Sequence, residues 1–146
     1  HMKRACFKVL LLLYMGWTAL LFPSCESNRG EIIPYVRVDL YLFLYADLAD
    51  MGIGTTKVIQ GEGANGIVLY RESDLEFRAY DRTCTLWPEH NAAVVEDTNF
   101  FGIFECPECG STYLLMNGGE VNSGPANYPL VEYRTAIQGD VLHIFN

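Results

Sequence analysis

The chain has 146 residues, half of them hydrophobic, and a formal net charge of −8. This length allows one compact domain and excludes two well-packed domains, and the apolar content excludes a disordered chain. Residues 25–146 contain 7 basic and 18 acidic side chains. Such an acidic body repels phosphate backbones, which excludes nucleic acid as the expected partner.

The first 24 residues have the order of a secretory leader. Basic residues come first, an apolar run follows over residues 9–22, and turn-forming and small residues come next at Pro23 and Ser24. The basic residues are Lys3, Arg4 and Lys8. This order predicts a signal peptide over residues 1–24, with His1 before Met2 as a remnant of cloning. The run is shorter than the roughly 20 residues of a membrane-spanning helix, and a buried amphipathic helix would show a polar face.

Cys25 follows the leader directly and precedes a polar stretch. This arrangement resembles a bacterial lipoprotein signal, in which the cysteine after the cleavage point is lipidated. The resemblance implies lipidation at Cys25, a tether over residues 25–31 and a membrane-anchored lipoprotein in the cell envelope, on the periplasmic side or at the surface. The alternative is an ordinary exported protein with Cys25 as a spare thiol. Both place the domain outside the cytoplasm, where disulfides persist.

Strand patterns begin at residue 32. Over residues 36–45, aliphatic side chains alternate with polar or aromatic ones, which predicts one apolar face against a core. Further runs rich in Val, Ile, Tyr and Phe predict strands at 57–60, 67–70, 76–80, 93–96, 100–105, 113–115, 133–137 and 141–145. Residues 46–51 alone could form a short helical turn. The pattern predicts a single all-β sandwich or barrel over residues 32–146.

Aromatic side chains are expected to lie mostly in this core. Those of the predicted β domain include Tyr35, Tyr41, Phe43, Phe100, Phe101 and Phe104. Trp87 is an exception, because its position beside a cysteine loop favours capping the site or contacting a partner. His143 lies within the last predicted strand and is expected to be a strand residue rather than a ligand. Residues 61–66 match G-x-G-x-x-G, but a strand rather than a helix follows, so a plain turn is predicted.

Three cysteines lie in predicted loops between these strands. Cys106 and Cys109 form a C-x-x-C turn, in which two thiols can reach a common metal or each other. Cys84 precedes them in the loop after the strand at 76–80. A segment rich in Gly and Pro follows them at 124–130.

In this order the motifs resemble the Rieske family, whose members are small antiparallel β-sandwiches. Two loops of that fold hold a 2Fe-2S cluster through C-x-H and C-x-x-H motifs, and a third loop covers it. The resemblance implies that Cys84 and Cys106 are the two cysteine ligands and that residues 124–130 form the covering loop. It also implies that Ser111 and Tyr113 give hydroxyl hydrogen bonds to the cluster and a ligand sulfur.

The sequence departs from the family at both histidine positions. Leu86 stands at the first and Cys109 at the second, and a leucine side chain cannot ligate iron. A centre with two cysteines and two histidines is therefore not expected. His90, four residues beyond Leu86, could join Cys84, Cys106 and Cys109 as a fourth ligand. That set suits zinc or an atypical iron-sulfur cluster.

Two functions remain open at this degenerate site. The family role implies iron-sulfur binding and electron transfer by a module that is not itself a catalyst, with an unidentified extracytoplasmic protein partner. The alternative is a non-redox interaction or scaffold domain with zinc, a disulfide or free cysteines. We expect no metal or a disulfide first, because an oxidising compartment favours pairing of these thiols, and zinc or an atypical 2Fe-2S cluster next.

Overall fold

The computed structural model describes residues 32–86 and 91–146, which form ten strands and one short 3-10 helix, Leu115–Asn117. The strands are β1 (Asp39–Phe43), β2 (Thr56–Ile59), β3 (Ile67–Arg71), β4 (Phe77–Asp81), β5 (Val95–Glu96), β6 (Ile103–Glu105), β7 (Thr112–Leu114), β8 (Glu120–Ser123), β9 (Glu132–Gln138) and β10 (Val141–Phe145). Within these ranges, no helix has the length and apolar character needed to cross a membrane.

The strands form two sheets. Six strands make the larger sheet in the order β1-β10-β9-β4-β3-β2, and four make the smaller sheet in the order β5-β6-β7-β8. All of these strand pairs are antiparallel. The predicted all-β antiparallel fold is confirmed.

The central strands β3 and β4 bury both of their faces. Val68 and Tyr80 belong to a core cluster that also contains Cys84 and Phe104. Their neighbours Leu69 and Ala79 belong to a second cluster on the other face of the larger sheet. Successive side chains of a strand point to opposite faces, so neighbouring apolar residues of β3 and β4 serve the two cores. The core that faces the smaller sheet is the one that contains the cysteine loops.

The alternation over residues 36–45 is confirmed where it forms β1. Leu40 and Leu42 are half-buried, whereas Asp39, Tyr41 and Phe43 are exposed. The next residues form a turn rather than a regular helix, since the amides of residues 46, 47 and 48 all converge on the carbonyl oxygen of Phe43.

Two predicted strands are shorter than expected, and one strand was not predicted. The strand predicted at 100–105 begins only at Ile103, because the Asp97 carboxylate accepts the amides of Asn99 and Phe100 and holds a turn there. Ala93 makes only an isolated bridge with Thr83, so β5 starts two residues later than predicted. The unpredicted strand is β8, which has a single half-buried residue and no apolar alternation.

The expectation that the aromatic residues of the β domain lie mostly in the core is wrong for the six named in the sequence analysis. Phe104 is fully buried, and Phe101 is 87% exposed. The other exposed side chains are Tyr35, Tyr41, Phe43 and Phe100. Tyr41 and Phe43 occupy the outward face of β1, and Phe100 and Phe101 lie in the turn before β6.

Several predictions concern residues outside the described ranges. These are the signal peptide at 1–24, the tether at 25–31 with the lipidation site Cys25, and the side chains of Trp87 and His90. They remain predictions.

Candidate metal centre

Two loops bring the three cysteines together. Cys84 follows β4, and its amide donates to the carbonyl oxygen of Ala92 at 2.9 Å. Cys106 and Cys109 lie in the turn between β6 and β7. There the Cys106 amide donates to the Ser111 carbonyl oxygen at 2.8 Å, and the Gly110 amide donates to the Cys106 carbonyl oxygen at 2.9 Å. The turn needs a positive φ of 71° at Gly110, which glycine adopts without strain.

The three thiol sulfurs form one compact group. All of them lie within 4.8 Å of one another, and Cys84 Sγ and Cys109 Sγ are 3.6 Å apart. All three are free thiols in the structure. Cys84 and Cys106 are buried, whereas Cys109 is half-buried and therefore marks the side from which solvent reaches the group. Three sulfurs so close together can share one metal ion or form a disulfide.

The two predicted hydroxyl groups both lie beside sulfurs. Ser111 Oγ accepts a hydrogen bond from the Cys109 thiol at 3.1 Å and another from the Ala126 amide at 3.0 Å. Tyr113 Oη lies 3.5 Å from Cys84 Sγ and accepts the Thr85 amide at 3.1 Å. The structure therefore brings Ser111 and Tyr113 to the same place as the cysteines.

The pKa values of the two cysteines of the C-x-x-C turn shift in opposite directions. Burial raises the pKa of the Cys106 thiol to about 12, although the backbone amides of Cys109 and Glu108 point at its sulfur and favour the thiolate. Burial also acts to raise the pKa of Cys109, but hydrogen bonds at its sulfur outweigh burial and lower that pKa below its ordinary value. They involve the side chain and amide of Ser111 and the side chains of Cys106 and Cys84. Cys109 is therefore the more readily ionised of the two.

Residues 124–130 fold over the cysteine loops. The Ala126 amide donates to Ser111 Oγ, and the Tyr128 carbonyl oxygen accepts the Thr85 hydroxyl at 2.6 Å. Gly124 packs so closely that an added Cβ would lie 2.4 Å from the Cα of Ser111. This segment is therefore held against both cysteine loops.

A 2Fe-2S cluster of the Rieske type does not fit these residues. Leu86 packs its apolar side chain against the core cluster that contains Cys84 and Cys106, and it has no donor atom. The iron that two histidines hold in the family would keep only Cys109 from the described residues. His143 lies on β10, stacks between Tyr41 and Phe145 and pairs with Asp39, so it does not join the cysteines.

One residue of the site was not predicted from the sequence. Thr85 lies directly after Cys84, and its hydroxyl joins Tyr113 Oη, 3.0 Å away, to the Tyr128 carbonyl oxygen. The available signal was a hydroxyl side chain next to a cysteine in the same loop as the leucine substitution.

No protein-family model and no curated protein sequence matches the chain. Solved structures do match it. A chain of the complex of reduced oxygenase and oxidized ferredoxin in carbazole 1,9a-dioxygenase is 26% identical, covers 72% of this chain and 92% of its own, and has a TM-score of 0.50. The ferredoxin of Sphingomonas yanoikuyae B1 is 21% identical, with coverage of 75% and 99% and a TM-score of 0.49. The ferredoxin of carbazole 1,9a-dioxygenase from Nocardioides aromaticivorans IC177 is 15% identical, with coverage of 76% and 98% and a TM-score of 0.48.

The match to the chain of the carbazole dioxygenase complex carries the structural argument, because its identity and TM-score are higher than those of the two ferredoxins. The matched region covers most of this chain and most of the chain from the complex. Two antiparallel sheets, paired cysteine loops and this similarity identify a Rieske-like domain in this protein.

Proposed function

We propose that this chain is an exported lipoprotein whose Rieske-like domain binds one thiophilic metal ion through Cys84, Cys106 and Cys109. The ion takes the place at which the family holds two irons. The observation that carries this proposal is the grouping of three sulfurs within 4.8 Å of one another.

The sulfur spacing is close to that of a single tetrahedral ion. Zinc binds thiolate sulfur at about 2.3 Å, which sets neighbouring sulfurs of a tetrahedron about 3.8 Å apart. Cys84 Sγ and Cys109 Sγ are 3.6 Å apart. A two-iron cluster instead divides its ligands between two metal ions, and Leu86 leaves one of those ions short of a donor.

Hydrogen bonds to the sulfurs favour the thiolate form that metals require, although burial opposes that form at Cys106. Backbone amides of Glu108 and Cys109 point at the sulfur of Cys106, and Ser111 hydrogen-bonds the sulfur of Cys109. Such outer hydrogen bonds orient thiolate ligands and offset their charge. His90 is the candidate for the fourth ligand, as the sequence predicts.

The fold supports the family role of electron transfer, and the identity of the bound metal decides whether this chain performs it. A single iron ion in a thiolate site exchanges one electron, whereas zinc has no redox chemistry and would only join the loops. One of the similar structures is a complex of an oxygenase with a ferredoxin. By analogy, we assign to this domain an extracytoplasmic protein partner that docks over the half-buried Cys109.

Metal analysis of the full chain, purified without oxygen, tests the proposal. We expect one metal ion per chain and no acid-labile sulfide. Cys84→Ser, Cys106→Ser and Cys109→Ser should each lower the metal content, whereas Cys25→Ser, which removes the cysteine before the β domain, should not. Two irons and two sulfides per chain would contradict the single-ion site.

A disulfide is the second candidate, and the separation of 3.6 Å between Cys84 Sγ and Cys109 Sγ favours it. A modest movement of either loop would bring these sulfurs to bonding distance, and an oxidising compartment would preserve the bond. Metal-free protein with one thiol per domain that reacts under denaturing conditions would support this candidate and reject the metal site. Three reactive thiols without metal would reject both.

The lipoprotein part of the proposal rests on the order of basic residues, apolar run and cysteine. We expect the full chain in the membrane fraction of expressing cells, with an acylated N-terminus at Cys25. Cys25→Ala should block processing or release the protein, while Cys109→Ser should leave its location unchanged. A soluble, unacylated protein that starts at another residue would disprove this part.

A further inference from the structure

Arg82, a largely buried arginine outside the cysteine site, has no counter-ion among the residues that the structure describes. Arg82 follows β4, and only 7% of its surface is exposed. Its Nε donates to the Val94 carbonyl oxygen at 3.1 Å. Among residues 32–86 and 91–146, no carboxylate forms an ion pair with its guanidinium. No buried side-chain nitrogen of the described residues lacks a hydrogen bond, so the terminal nitrogens of Arg82, which make none, reach solvent. These nitrogens are available to an anion from outside the chain.

The neighbouring Asp81 is already saturated. Its Oδ1 accepts the amide and hydroxyl of Thr83 at 2.8 and 2.6 Å. Its Oδ2 accepts the Ala64 amide at 2.7 Å and the Tyr133 hydroxyl at 2.6 Å. Burial lowers the pKa of Arg82, and the charge of Asp81 opposes that shift only from a distance. The terminal guanidinium nitrogens are therefore not satisfied by this carboxylate.

The guanidinium borders a depression of about 420 Å³. Residues 60–66, Arg82 and Ala93 line it. Gly66 has a φ of 91°, and an added Cβ there would lie 3.3 Å from Arg82 Nη1, so the absence of a side chain lets the loop approach the guanidinium. Asn65 ties the loop to the strand end that carries Cys84, because its side-chain amide donates to Thr83 Oγ1 at 3.0 Å.

We propose that this depression binds a small oxyanion, a phosphate, a sulfate or the carboxylate of an organic acid, on the guanidinium of Arg82. Two nitrogens of a guanidinium lie in one plane and match a pair of anionic oxygens. The site is separate from the cysteine group and does not depend on the proposed metal. It gives an anionic partner to a guanidinium that no carboxylate of the described residues pairs with.

Glu62 limits the affinity of this site. It is the only acidic residue among the described residues that line the depression, and it is half-buried. A carboxylate at this position repels an incoming anion, and it does not pair with Arg82 in the structure. The proposal therefore requires that neutralising Glu62 strengthens anion binding.

Nuclear magnetic resonance of the full chain tests the site, with inorganic phosphate added at constant ionic strength. We expect saturable shifts of the amides of residues 61–66. Arg82→Gln should weaken phosphate binding by about tenfold or more, which corresponds to loss of a charge-assisted hydrogen bond. Arg37→Gln removes the same charge at an exposed position and should leave the affinity unchanged. Shifts that do not saturate, or that persist equally in Arg82→Gln, would overturn the proposal.

Glu62→Gln keeps the test decisive if Arg82→Gln does not fold. This variant should bind phosphate more tightly than the unchanged chain, and equal or weaker binding would overturn the proposal. Sulfate and acetate then separate the two ligand classes. Competition by sulfate alone would assign the site to tetrahedral anions, and competition by acetate as well would extend it to carboxylates.

Discussion

Thr85 connects the cysteine group to the segment that covers it. Its hydroxyl donates to the Tyr128 carbonyl oxygen, and its amide donates to Tyr113 Oη. Because the Thr85 proton is used in this way, the Tyr113 hydroxyl donates either to Thr85 Oγ1 or to the sulfur of Cys84. A single phenol thus holds the first cysteine loop and contacts one of the three sulfurs.

Tyr113→Phe should lower the free energy of unfolding by about 1–3 kcal/mol, because the buried Thr85 amide loses its acceptor. Denaturant titration of the purified protein measures this loss. Tyr45→Phe is the matched control, since Tyr45 is largely exposed, and it should change stability little. A Tyr113→Phe protein as stable as the Tyr45→Phe protein would show that this hydrogen bond is not needed.

At the scale of elements, the sequence predicts the strands that carry a pattern of apolar residues and misses β8, which has no such pattern. β3, β4 and β10 follow their patterns closely. The edge strand β8 leaves most of its residues exposed, so no hydrophobic alternation marks it. The two cysteine loops come together through the pairing of strands that are distant in the sequence. Only the family resemblance indicated that these loops would meet. The surroundings of Arg82 were not predicted, because the sequence shows neither that its side chain is buried nor that no described carboxylate pairs with it.

The covering segment offers a test at this scale. Gly124 has a φ of 97°, and a Cβ there would lie 2.4 Å from the Cα of Ser111. Gly124→Ala should therefore reduce the free energy of unfolding by about 1–3 kcal/mol beyond the cost of the backbone conformation alone. Gly139→Ala measures that backbone cost, because Gly139 also has a positive φ and no atom within 4 Å of an added Cβ. Equal losses in the two variants, measured by chemical unfolding, would contradict close packing of this segment.

At the scale of the whole molecule, buried phenols join separate elements of the fold through polar contacts. Tyr80 Oη donates to the Leu115 carbonyl oxygen, which links β4 to the 3-10 helix after β7. Tyr133 Oη donates to the buried carboxylate of Asp81, which links β9 to the end of β4. Both bonds need a protonated phenol, so the stability of the fold depends on pH at the alkaline end.

Stability should fall as the pH rises above about 10, the usual pKa of tyrosine. Burial raises the pKa of Tyr80 and Tyr133, helped at Tyr133 by the hydrogen bond to Asp81. The unfolded chain therefore loses these protons first, which favours unfolding at high pH. Denaturant titration at several pH values should show a smaller alkaline loss for Tyr133→Phe than for Tyr45→Phe. An identical pH dependence in these two variants would rule out a contribution from Tyr133.

The pairing of β1 with β10 determines when this domain can close during synthesis. β1 lies at the edge of the larger sheet, and the Asn146 side chain binds Val38 across 108 positions of the chain. A ribosome must therefore make almost the entire domain before β1 acquires its neighbour, and contacts so distant in sequence form slowly. Until that moment β1 has no neighbouring strand, so the larger sheet stays incomplete through most of synthesis even though β2, β3 and β4 can already pair.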